Sequence, residues 1–182
     1  MEQNELLLRT AFACMSCDGD IATEEVELIK QMSEEKHLFG EIDIDKELDA
    51  LVKEINLKGK GFLKHYLISL AEDTLTEEQE LKIAEVAVQT IRADNKIEYS
   101  EIKFFKVLRS NLKIVSDKTL LEKIDGIDEN YLAQDIRADY LHMYEDYFNN
   151  IELPEFGILK QDVNSVGINA TDNIGEESEK AG

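Results

Sequence analysis

The chain predicts an all-α fold: a compact single-domain bundle of about eight helices with an internal pseudo-repeat. Three observations carry that expectation. Its 182 residues include one proline and nine glycines, and they are rich in Leu, Glu, Lys and Ala, a composition that favours helix and leaves few breakers. Apolar residues recur at helical spacing along most of the chain, while strict alternation over strand lengths is missing. Finally, a helix–acidic turn–helix pattern occurs twice, from Leu6 to Glu25 and from Leu81 to Glu101. Setting Asp18 on Asp94 also superposes Ala11 on Ala87, Ile21 on Ile97, Glu25 on Glu101 and Lys30 on Lys106.

The elements follow in order. Residues 2–17 carry Leu6, Leu7, Leu8, Ala11, Phe12 and Met15, and residues 77–93 carry Leu81, Ile83, Ala84, Val86, Ala87, Val88 and Ile91. Helices apolar around most of their circumference belong at the centre of a bundle. Their successors, 23–37 and 99–111, are amphipathic, with Val26, Ile29 and Met32 in one and Ile102, Phe105 and Leu108 in the other. Each therefore covers a central helix. Further helices are predicted at 43–56, 60–72, 117–124 and 129–149. Gly19 and Asn95 occupy matching places where a left-handed residue ends a helix. Thr76 with Gln79 forms a capping-box pattern, and Gly40, Gly59 and Gly61 mark further breaks. Residues 1–115 read as the main helical domain, 116–153 as a helical extension packed on or beside it, and 154–182 as a flexible acidic tail.

Forty acidic against twenty basic residues give a formal charge of −20. That surface repels nucleic-acid phosphates and anionic lipid, and it attracts cations and basic protein surfaces. No stretch approaches the roughly 20 apolar residues that span a bilayer, so no direct membrane insertion is expected. Glu2, Glu5 and Arg9 interrupt the pattern of a signal peptide. The expectation is a cytoplasmic protein whose Cys14 and Cys17 are reduced thiols.

Asp18-Gly-Asp-Ile-x-x-x-Glu25 after an Ala-containing apolar helix, then Ala93-Asp-Asn-Lys-Ile-x-x-x-Glu101, resembles the tellurite-resistance TerB-like family over about Leu6 to Leu112. The resemblance implies a cytosolic, non-enzymatic, all-helical protein tied to stress or tellurite resistance, with acidic turns that bind a divalent cation. Carried over by position, the ligands are Asp18, Asp20 and Glu25 from the first motif and Asp94, Glu98 and Glu101 from the second. Lys96, standing where the first copy has Asp20, departs from the pattern and lowers the anionic density of its turn.

Read as chemistry, these turns suit a hard cation, with Ca2+ favoured over Mg2+. Calcium takes about 6–8 oxygen ligands. One copy supplies too few, so a tight site needs the second copy nearby or several waters. An EF-hand is excluded, because the twelfth position from Asp18 is Ile29. The competing reading is structural: carboxylates at a helix start contribute ~0.3–1 kcal/mol, and an N-cap about 1 kcal/mol. Both readings stand at this point. Cys14-x-x-Cys17 falls at a helix C-terminal end beside Asp18, where neither dipole nor charge favours a thiolate. His37, His65 and His142 belong to no catalytic motif, and Gly59-Lys60-Gly61 lacks the spacing of a phosphate loop. Nothing points to catalysis. The last helix carries an aromatic stripe, Tyr140, Tyr144, Tyr147 and Phe148. It either packs on the bundle or docks an unidentified protein partner.

Overall fold

The computed structural model describes residues 1–132 and 140–157. Among them the regular elements are all helical: α1 (Gln3–Ser16), α2 (Thr23–Lys36), α3 (Ile44–Lys58), α4 (Lys60–Glu72), α5 (Glu77–Ile91), α6 (Tyr99–Ser110), α7 (Asp117–Lys123), α8 (Glu129–Leu132) and α9 (Tyr140–Asn150). None is long and apolar enough to cross a membrane.

The two helices with the widest apolar surface form the central pair, α1 against α5, as their sequences require. From Leu6 to Ser16 every residue except Arg9 is buried. The hydroxyls trapped in this pair are satisfied locally: Thr10, Ser16 and Thr90 donate to the carbonyls of Leu6, Phe12 and Val86, each at 2.8 Å. Arg9, at the rim, pairs with Glu54 of α3 at 3.0 Å. On the outside, α2 buries Val26, Ile29 and Met32. Helix α6 buries Phe104, Phe105, Val107 and Leu108, while Ile102 is only partly covered. The buried face of α6 is thus turned toward Phe104 relative to the sequence reading, because α9 packs along it. There Phe104 meets Tyr147 with ring centroids 5.1 Å apart, and Lys103 reaches Asp146 at 3.4 Å.

Most of the expected punctuation is present. Thr76 accepts from Gln79 N–H at 3.1 Å and its own N–H donates to the Gln79 side chain at 2.9 Å, closing the capping box. Gly59 breaks α3 from α4 with φ 58°, whereas Gly61, expected as a further break, lies inside α4. The helix expected at 129–149 is described only at its two ends, as α8 and α9, residues 133–139 lying outside the described residues. The expected tail boundary also moves: Phe156 is buried and its backbone is bonded to Asn56, so the packed chain continues through Phe156. Residues 158–182 lie outside the described residues.

Candidate functional site

The six carboxylates expected as ligands sit in two turns that share one local design. Each opens where a central helix ends: Gly19 N–H donates to Ser16 O at 3.0 Å, and Asn95 N–H to Arg92 O at 3.1 Å. Gly19 and Asn95 then take positive φ, 85° and 59°, a conformation in which Gly has no steric cost and Asn a small one. Asp18 Oδ1 accepts from Asp20 N–H, and Asp94 Oδ1 from Lys96 N–H, both at 2.9 Å. Three residues into the following helix, Glu25 Oε1 accepts from Ala22 N–H at 2.8 Å and Glu101 Oε1 from Glu98 N–H at 2.7 Å. Each Glu thereby makes the carboxylate half of a capping box. Ala22 has no side-chain oxygen to return the bond, and Glu98 makes no side-chain cap.

The turns are also brought together. Glu25 and Glu101 are each only 2% exposed. Burial pushes the Glu25 carboxyl up to about 9, and Glu101, Asp18 and Asp94 raise it further, against the pull of the Ala22 hydrogen bond. Burial likewise raises Glu101 to about 8, with Asp18, Asp94 and Glu98 adding their repulsion. Asp18 rises to about 6 through burial, helped by Asp20 and Glu98. Each Glu thus senses both Asp residues, one from its own turn and one from the other. The ends of α1 and α5 deliver both acidic turns to one region of the bundle.

Asp18, Glu25, Asp94 and Glu101 are the covered members, whereas Asp20 and Glu98 are exposed, although the charge of Glu98 still reaches Asp18 of the other turn. Convergence is not coordination. One oxygen of each of the four is already turned onto a backbone N–H, and among the described residues no group of three or more His, Cys, Asp or Glu is arranged to hold a metal ion. The arrangement keeps protons on buried carboxylates near neutrality. A cation could enter only by displacing those protons and turning the free oxygens inward.

Both cysteines border this region, buried and reduced, and burial raises both thiols well above their ordinary value, with Glu101 and Glu25 adding to it. Neither has the character of a nucleophile. The aromatic stripe divides. Tyr147 and Phe148 are 1% and 4% exposed, and the Tyr147 hydroxyl donates to Cys17 O, so this end is core. Tyr144 is partly buried against the core, and Tyr140 with Leu141 is exposed. Docking through Tyr147 and Phe148 is therefore excluded while α9 stays on α6.

Sequence reading missed two functional-looking features. Glu80 is buried and accepts from three successive N–H groups, Lys113, Ile114 and Val115, at 2.6, 2.7 and 2.8 Å. Asn56 holds both backbone groups of Phe156 at 2.8 Å. Neither leaves a local signal, since each partner is more than thirty residues away. Comparison with family models, curated proteins and solved structures returned no match.

Proposed function

We propose that this chain is a non-enzymatic, cytoplasmic TerB-like module of the stress or tellurite-resistance type, whose paired acidic turns respond to a divalent cation, calcium before magnesium. What supports it is the burial of Glu25 and Glu101 at one end of the bundle within reach of the charges of Asp18 and Asp94, one Asp from each turn. Buried carboxylates that repel one another gain most from a proton or a cation, and whichever binds shifts the stability of the folded chain. Because Glu25 and Glu101 hold protons near neutrality, cation binding releases them, so affinity grows with pH.

Thermal melts across a calcium titration, with chelator controls, test the reading. Millimolar calcium should raise Tm, more at pH 8.5 than at pH 6.5, and the D18N/D94N double variant should lose that response. No shift at either pH would remove the cation from the function. It would leave an interaction module whose exposed Tyr140 and Leu141 are its outward apolar groups on α9.

A further inference from the structure

The segment that follows α9 is held in the manner of a bound peptide. Asn56 donates from Nδ2 to the Phe156 carbonyl and accepts at Oδ1 from the Phe156 N–H. A side-chain amide that pairs with both backbone groups of one residue does what a neighbouring β-strand would do, and it holds an extended chain whatever its side chains. Apolar side chains supply the rest: Ile151 and Phe156 are buried, and Leu153 is partly buried against the core, while Glu152, Pro154 and Glu155 face solvent. The floor is shaped for close approach. The Glu152 carbonyl oxygen would lie 2.8 Å from a Cβ at Gly19, and Pro154 Cδ 3.6 Å from it. Pro154 fixes its own φ and biases Leu153 toward extended backbone, so the segment loses little freedom on seating.

We propose that this seat is a peptide-recognition groove, occupied in cis by residues 151–157, which accepts in trans an extended segment of a partner protein carrying the pattern Ile-x-Leu-Pro-x-Phe. Gly19, in the turn after α1, and Asn56, on α3, belong to the bundle, so the two backbone holds of the seat lie outside the segment that fills it. The tethered segment acts as an internal competitor, at an effective concentration on the order of millimolar for a short tether. Charge refines the partner. Gly19 lies between Asp18 and Asp20 in a chain of net charge −20, yet the resident segment places Glu152 beside this acidic turn. A partner with Lys or Arg at the position of Glu152 is the better complement.

The test uses the full chain and two fluorescent peptides, Ile-Glu-Leu-Pro-Glu-Phe-Gly and its form with Lys in place of the first Glu, followed by anisotropy. The Phe156→Ala chain, its resident segment weakened, should bind either peptide about tenfold or more tightly than the unaltered chain. The Lys peptide should bind more tightly than the Glu peptide at low salt, with the gap closing as salt rises. Adding Asn56→Ala to Phe156→Ala should abolish the gain. If Phe156→Ala does not melt cooperatively, Pro154→Gly loosens the segment without removing a buried side chain and takes its place. Equal, weak binding to the unaltered and loosened chains would overturn the groove. So would a scrambled peptide that binds as well as the matched one. A concentration-dependent dimer of the loosened chain that excludes the peptides would overturn the separate partner in favour of a second copy.

Discussion

The two halves of this bundle repeat each other at an offset of 76 residues, yet they are braced differently. Asn4 at the start of α1 corresponds to Glu80 at the start of α5, and both reach the loop beyond the next helix. Asn4 places Nδ2 where a Cβ at Gly40 would be 2.7 Å away; Glu80 gathers three N–H groups from residues 113–115. Burial carries the correspondence further: Phe39 matches Val115, Ile44 matches Leu120, and Leu48 matches Ile124, all buried. Beyond that the halves part. Helix α3 runs to Lys58, while α7 stops at Lys123. The first turn lies under the segment from Ile151 to Phe156, and α9 packs along α6 of the second half. A repeat of helices and turns thus conserves the acidic pair at its centre and diversifies its periphery.

The largest effect that would sharpen this contrast is at the braces. Glu80→Ala removes a buried charged acceptor from three N–H groups and should cost about 3–4 kcal/mol, roughly 10 °C in Tm for a chain of this size. Asn4→Ala should cost less than about 1 kcal/mol. Equal losses in chemical denaturation would erase the asymmetry.

The shared acidic pair should show itself in pH dependence. Asp18, Glu25 and Glu101 have folded pKa values of about 6, 9 and 8, above their ordinary values of 3.8, 4.5 and 4.5. The folded chain therefore binds the extra protons, and their stabilisation is complete below about pH 4 and lost as pH rises through 6 to 9. Without divalent cations, Tm should fall steadily as pH rises from 5 to 9. The E25Q/E101Q double variant keeps an acceptor for each backbone N–H and should lose at least half of that slope. An unchanged slope would mean that Glu25 and Glu101 do not take up protons on folding.

The smallest difference lies in the turn residues. Gly19→Ala forces a side chain into left-handed backbone and against the Glu152 carbonyl, and should cost about 2 kcal/mol. Asn95→Ala meets only the backbone term and should cost ~0.5–1 kcal/mol. Matching losses in the two variants would show that the segment does not press on Gly19.

The legible parts are those whose signal is local. The buried circumference of α1 and α5, the Thr76 cap, and the positive φ of Gly19 and Asn95 could all be read from neighbouring residues. The pairing of Glu25 with Ala22 and of Glu101 with Glu98 spans one turn of helix, and for that reason capping is now an observed role for both. What the spacing did not disclose is their burial, since a glutamate in the first turn of a helix is more often solvated. Tyr147 and Phe148 share a stripe with Tyr140, but only the packing of α9 on α6 separated the buried end from the exposed one.

From the amino-acid order alone came the helical class, the doubled turn and the residues that cap it, because backbone preference and the 3.6-residue period act over a few positions. Tertiary structure decided that two turns 76 residues apart share one end of the bundle, that Glu80 fills a loop formed by residues 113–115, and that Asn56 clasps Phe156 a hundred residues on. Those contacts arise from burying the apolar faces of whole helices against one another, and no local run of residues encodes which loops that burial will bring together.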